Sequence, residues 1–106
     1  MRLSPKDISE ITEALAPFML LIPCKLYLFG SRVDPMKRGG DIDLLMVVDA
    51  LEQANELRAA RLDMSVSLQK HLGERRVDLT IATASELVTD PFLASIWPSA
   101  ILITSH

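Results

Sequence analysis

Three aspartates carry most of the chemistry in this sequence: Asp41, Asp43 and Asp78. The first two open the apolar run 41–48, and the third lies near the start of the run 76–82. Side chains alternate faces along a strand, so Asp41 and Asp43 share a face, and Asp78 comes beside Asp43 if the two strands are neighbours. Such clustered negative charge is costly unless cations neutralise it. The cluster therefore predicts a site for Mg²⁺, a hard cation that prefers oxygen ligands, and two such ions about 4 Å apart can activate one oxygen and stabilise another as it leaves.

Gly30 and Ser31 strengthen this interpretation. They close a predicted strand and lead, through the nine residues 32–40, to Asp41. Glycine lets the backbone approach a phosphate closely, and the serine hydroxyl supplies one more donor. Each feature also has a plainer explanation, because Gly-Ser is an ordinary turn and an Asp before a strand often caps a turn. A D-x-D pair also occurs by chance and in sugar transferases.

Strands that alternate with helices must position these residues. A first helix is predicted from the N-cap Ser4 to about Met19, because a capping pattern precedes apolar residues at helical spacing. The further elements predicted are strands at 25–29, 41–48, 76–82 and 100–103, a helix within 50–72 that Gly73 ends, and a short helix after Asp90-Pro91. This order predicts an α/β domain.

Length and composition limit the function classes. A chain of 106 residues matches one domain, 1–106, and 49% hydrophobic residues with a mean hydropathy of +0.26 exclude a disordered chain. The net charge of −3 argues against a protein that grips a nucleic-acid backbone. The apolar stretch 18–30 is interrupted by Pro23 and Lys25 and is too short to span a bilayer, so neither a membrane span nor an export signal is expected.

The remaining reactive or aromatic residues favour structural roles. The single cysteine, Cys24, cannot form an internal disulfide, suits a reducing cytosol and is predicted to be a buried, inert thiol. His71 and His106 lack partners at metal-ligand spacing, so no zinc site is indicated. A helix face that packs on the core is predicted from Phe92, Leu93, Ile96 and Trp97.

The combined pattern resembles a known family. The stretches 28–32 (LFGSR), 40–44 (GDIDL) and 77–79 (VDL) are similar to the minimal nucleotidyltransferases (MNT) of the DNA polymerase β superfamily. That family has a G-S pair, a connection usually of ten residues, D-x-D, and a third Asp on a later strand. Here the connection has nine residues, and Gly40 stands where a serine often precedes the first Asp. The resemblance covers most of the chain and implies the nucleotidyltransferase fold, a small mixed sheet flanked by helices.

The resemblance implies a role for the residues between the first two strands. Gly30 and Ser31 would hold the triphosphate of a nucleotide. We expect Arg32, Lys37 and Arg38, the basic cluster beside the motif, to help bind phosphate; for Lys37 and Arg38 a solvated loop explains the charges equally well.

The resemblance also implies the reaction. Asp41 and Asp43 would ligate two Mg²⁺ ions, while Asp78 would complete the site and help deprotonate the accepting hydroxyl. The donor is expected to be ATP, with pyrophosphate leaving and AMP transferred.

Partners are implied by the same family. Members of this size are often antitoxins of a helical HEPN RNase toxin, and some place AMP on a toxin tyrosine. The expectation is therefore a cytoplasmic antitoxin with a HEPN partner, without direct nucleic-acid binding and with self-association left open. Two alternatives remain: an antitoxin that acts by binding alone, and nucleotidyl transfer to a small molecule.

Overall fold

The structure, a computed structural model, describes residues 4–29, 42–73 and 75–105. The chain is an α/β protein, as predicted. Within the described ranges the helices are α1 (Pro5–Leu21), α2 (Leu51–Ala59), α3 (Arg61–Leu72), α4 (Glu86–Thr89) and α5 (Pro91–Ile96), followed by a 3₁₀ turn, Trp97–Ser99. The strands are β1 (Lys25–Phe29), β2 (Ile42–Val48), β3 (Val77–Thr83) and β4 (Ile101–Ser105).

The four strands form one mixed sheet in the order β3-β2-β1-β4. β1 pairs antiparallel with β2 and with β4, whereas β2 and β3 are parallel. Parallel neighbours need a crossover connection, which α2 and α3 supply. The prediction of a small mixed sheet flanked by helices is confirmed.

Alternation along the strands divides the buried side chains into two cores. The first core lies between one face of the sheet and helices α1, α2 and α3; from β2 it takes Ile42, Leu44, Met46 and Val48. The second core lies on the other face, beneath α4 and α5, and contains Phe29, Leu45, Val47, Ala82, Leu87 and Leu93. Strand β2 is therefore buried on both faces along most of its length, which explains why its sequence is almost continuously apolar.

The predicted helix within 50–72 is two helices rather than one. Ala60 separates them, and its N–H is shared between the carbonyls of Glu56 and Leu57. On either side of this break, Arg58 and Arg61 donate side-chain hydrogen bonds to backbone carbonyls of β3. The sequence carries no glycine or proline at this point, so only the packing against β3 reveals the break.

Local signals set the other helix ends as expected. Ser4 and Asp7 form a reciprocal capping box at the start of α1, and Gly73 ends α3 with a φ of 70° that disfavours a side chain. Helix α4 was not predicted. It forms where the Glu86 carboxylate turns back to accept the backbone N–H of Thr83, at 2.8 Å.

Cys24 is buried, as predicted, and burial raises the pKa of its thiol to about 11. The thiol is therefore protonated at neutral pH and a poor nucleophile. Among the described helices, none is long and apolar enough to cross a membrane.

Two carboxylates link stability to pH. Partial burial raises the pKa of Asp7, but the hydrogen bond and charge of Arg75, 2.9 Å away, outweigh it, and the net pKa lies below the usual 3.8. The pKa of Glu86 is lowered from 4.5, mainly by the backbone N–H of Thr83 and despite some burial, with help from the charge of Arg58.

Both folded-state pKa values are depressed, so the stability they contribute is present above the unfolded-state values and is lost as pH falls below about 4.5. We therefore expect the free energy of unfolding, measured by urea titration, to decline between about pH 5 and pH 3. A variant with Asp7→Asn and Glu86→Gln should lose part of this slope. An unchanged slope would show that other groups control the acid transition.

A candidate active site at one end of the sheet

Asp43 and Asp78 lie directly beside each other in the sheet. In the parallel pairing of β2 with β3, their Cα atoms are register partners, and neighbouring strands lie about 4.8 Å apart. Alternation places Asp43 on the face of Leu45 and Asp78 on that of Ala82, both in the second core. The two carboxylates therefore share one face, as expected if the strands were neighbours.

The pair sits where the sheet opens to solvent. Asp43 is half-buried and the side chain of Asp78 is more than half exposed. Leu87 and Leu93, from α4 and α5, pack in the core on this face. The backbone N–H of Ile42 donates to the carbonyl of Arg76 at 2.9 Å, which ties the starts of β2 and β3 together beside the pair.

Arg76 adds a positive charge that the sequence analysis missed. Its Nε lies 3.6 Å from a carboxylate oxygen of Asp78, and both side chains are largely exposed. An ion pair this exposed contributes little to stability, so the guanidinium remains available to an anionic ligand. The signal was present in the sequence, because Arg76 and Asp78 are two residues apart at the start of a strand and so share a face.

An aromatic pair borders the carboxylates on the other side. Phe29, the last residue of β1, is the register partner of Asp43. Its ring meets that of Phe92 edge to face, with centroids 6.4 Å apart. The expectation that Phe92 packs into the core with its helix is wrong in part, because its side chain is 57% exposed. Phe92 lies in the first turn of a short helix, and this position directs its side chain outward. Leu93 is buried as expected, and the ring of Trp97 packs against that of Tyr27 with centroids 4.8 Å apart.

The two described carboxylates fit a magnesium ion. Mg²⁺ usually takes one or two carboxylates and keeps its other positions for water and substrate phosphate. Two acidic side chains on adjacent strands, with Asp43 half-buried and Asp78 largely exposed, meet that requirement. Within the described ranges there is no group of three or more histidine, cysteine or acidic residues that could hold a metal. The predicted third ligand, Asp41, lies outside the described residues.

The predicted phosphate-binding residues also lie outside the described part of the chain. These are Gly30, Ser31 and Arg32, together with Lys37 and Arg38. The residues that bound this connection are described. Phe29 precedes it and Ile42 follows it, and both are immediate neighbours of Asp43.

The largest described cavities are elsewhere. One, of about 410 Å³, lies at the opposite end of β2 and is lined by residues that include Lys25, Tyr27, Asp49 and Trp97. We locate the candidate site at Asp43 and Asp78 rather than in this cavity, because only there do adjacent carboxylates coincide with residues of the sequence pattern. Asp49, an exposed carboxylate that directly follows the far end of β2, is a useful control for Asp43.

If Asp43 helps to hold Mg²⁺, the cation should stabilise the folded chain. At ten times the dissociation constant, a ligand specific to the folded state adds about 1.4 kcal/mol, which raises the melting temperature of a domain this size by several degrees. We expect this shift in the wild type and in Asp49→Asn, and its loss in Asp43→Asn. An equal shift in all three proteins would place the cation elsewhere.

Comparison with known proteins assigns no family to this arrangement. No family model matches the chain, and none of the curated proteins matches it at a significant level. Function must therefore be inferred from Asp43, Asp78 and Arg76 and from the sequence pattern around them.

Proposed function

We propose that this protein is a Mg²⁺-dependent nucleotidyltransferase that moves AMP from ATP to a hydroxyl group. The acceptor we propose is a tyrosine of a helical HEPN toxin, so that the protein acts as its antitoxin in the cytoplasm. One observation carries the proposal: Asp43 and Asp78, far apart in the sequence, are adjacent on one face at an open end of the sheet.

The sheet topology supports the proposal because it brings the separate parts of the sequence pattern to one end. β1 runs antiparallel to β2, so Phe29, which precedes Gly30-Ser31, is the register partner of Asp43. β3 runs parallel to β2, so Asp78 comes to the same end from the other side. A strand order that separated β1 from β2, or β2 from β3, would have dispersed these residues and argued against the assignment.

The proposed roles follow from the charges. Asp43 and Asp78, with Asp41, would hold Mg²⁺, which when bound neutralises charge on the phosphate oxygens. Gly30 and Ser31 would donate hydrogen bonds to the triphosphate. Arg76, exposed beside Asp78, is suited to draw the negatively charged nucleotide towards this end of the sheet.

The reaction balances without a further reagent. The oxygen of the acceptor hydroxyl forms a bond to the α-phosphorus of ATP, and the bond from that phosphorus to the bridging oxygen breaks. Pyrophosphate leaves with the bonding electrons. The hydroxyl proton passes to the carboxylate of Asp78, which lies at the start of β3, and from there to solvent.

The openness of the site bears on the acceptor. Asp78 and Arg76 are both largely exposed, and on the side of Asp43 the α5 residue Phe92 meets Phe29. A tyrosine on the surface of a second protein would approach the carboxylates from the exposed side of Asp78. An acceptor supplied by a partner fits this geometry.

A second candidate function, neutralisation of the toxin by binding alone, is favoured by a different observation. Leu20, Leu21 and Leu62 are all largely exposed on α1 and α3. Asp7 contacts Arg75, and the Ser67 hydroxyl donates to the carbonyl of Ala14, so the two helices run antiparallel. The end of α1 therefore lies near the start of α3, so exposed leucines of both helices occur at the same end of this helix pair.

Asp43→Asn should separate the two functions. The amide keeps the size of the carboxylate but removes its charge, so we expect nucleotidyl transfer to fall by at least about 100-fold, as for loss of a group that stabilises developing charge. Transfer is measured by intact-mass spectrometry of the co-purified partner after incubation with Mg²⁺ and each nucleoside triphosphate. Protection of cells from the toxin should be lost together with transfer.

Asp49→Asn is the matched control, because it makes the same change at an exposed residue that directly follows the other end of β2. It should retain both transfer and protection. Protection that survives in Asp43→Asn, with a stable complex, would instead favour neutralisation by binding alone. An AMP increment that is unaffected by Asp43→Asn would reject the assigned site.

A further inference from the structure

The two edge strands of the sheet, β3 and β4, differ in whether side chains bond to their backbone. At the β3 edge, Arg58 donates to the carbonyl of Ile81 at 2.9 Å, and Arg61 donates to the carbonyl of Leu79. These long cationic side chains occupy backbone acceptors that a foreign strand would otherwise use, and charged residues at an edge are a recognised way of preventing strand addition. The β3 edge is therefore closed to pairing.

The β4 edge lacks this protection. Strand β4 pairs only with β1 among the described strands, and no described side chain bonds to its backbone. It runs Ile-Leu-Ile-Thr-Ser and carries neither a charged residue nor a proline. Unpaired N–H and C=O groups on an apolar strand are a template for another strand.

The exposure of Ile101 and Leu102 indicates what kind of partner can bind at the β4 edge. Ile101 and Leu102 are 54% and 52% exposed. Ile101 is the register partner of Leu28, on the face of the first core, whereas Leu102 is the partner of Tyr27, which packs against the second core. The two side chains therefore lie on opposite faces. A helix or a flat surface docking on one face would cover only one of them, whereas a strand added at the edge flanks both.

We propose that β4 pairs antiparallel with β4 of a second copy of this chain, which joins two sheets into one across a two-fold axis. An antiparallel strand pair is compatible with two-fold symmetry, because each strand offers the same edge to the other. Each copy has a net charge of −3, so two copies repel over most of their surfaces. The uncharged strand β4 lets identical chains approach without adding like charges to the contact.

The proposed contact between two β4 strands buries little area, and this limits the affinity of the dimer. The pairing of β4 with β1 contains an irregularity next to Ile103, which limits the regular part of the edge. Pairing of about five residues buries less than the roughly 800 Å² per partner of a standard stable interface. The dimer should therefore be reversible, with a dissociation constant in the micromolar range.

Sedimentation velocity of the full chain from about 1 to about 200 µM tests this directly. We expect the wild type to shift from monomer to dimer as its concentration rises. Leu102→Lys places a charge at the edge, and twice in the symmetric contact, so it should raise the dissociation constant at least about tenfold. The matched control is Leu51→Lys, which changes a leucine that is 58% exposed at the start of α2 and should leave dimerisation unchanged.

A second measurement does not depend on any variant. Hydrogen exchange of the wild type at low and high concentration should show added protection of the β4 amides in the dimer, with no change in the β3 edge. A chain that stays monomeric throughout, a dimer lost in Leu51→Lys but kept in Leu102→Lys, or β4 exchange independent of concentration would each overturn the proposal. So would a β4 edge that pairs only with a different protein. None of these readouts depends on nucleotide transfer, so this proposal and the proposed function can fail separately.

Discussion

The central strand β2 imposes the main constraint on this molecule, because it is paired on both sides and buried on both faces. From Leu44 to Val48 every side chain is buried, and an uncompensated charge there would cost several kcal/mol. Within β2 a carboxylate is accommodated at the second residue, the one position of the strand that is not fully buried. Asp43 occupies that position. The location of the candidate site at an end of the sheet thus follows from the burial of its middle.

The same end of the sheet carries an electrostatic cost. Like charges directly opposite each other on neighbouring strands destabilise a sheet, and Asp43 and Asp78 are register partners. The exposed ion pair of Asp78 with Arg76 contributes little to stability in water. A cation held by the two carboxylates, as we propose, would turn their repulsion into an attraction.

Arginine side chains link the helices to the sheet at its closed edge. Arg58 ends α2 and Arg61 begins α3, and both reach carbonyls of β3. Arg58 also meets Glu86, which in turn accepts the N–H of Thr83 at the end of β3. The break between α2 and α3, the protection of the β3 edge and the start of α4 are therefore parts of one hydrogen-bonded arrangement. Nothing comparable is described at β4, which leaves the two edges with different capacities for pairing.

The sequence by itself determined the α/β class, all four strands to within two or three residues, the capping box of Ser4 with Asp7 and the stop at Gly73, because these depend on local periodicity and backbone preference. It also identified Asp43 and Asp78 as candidate site residues, since a carboxylate at the start of an apolar strand is unusual. It did not determine that β2 and β3 are adjacent and parallel in a register that makes these two residues neighbours. The break at Ala60 and the outward position of Phe92 were likewise decided by tertiary structure. Each depends on which elements pack together, and contacts between residues far apart in the chain leave no local signal in the sequence.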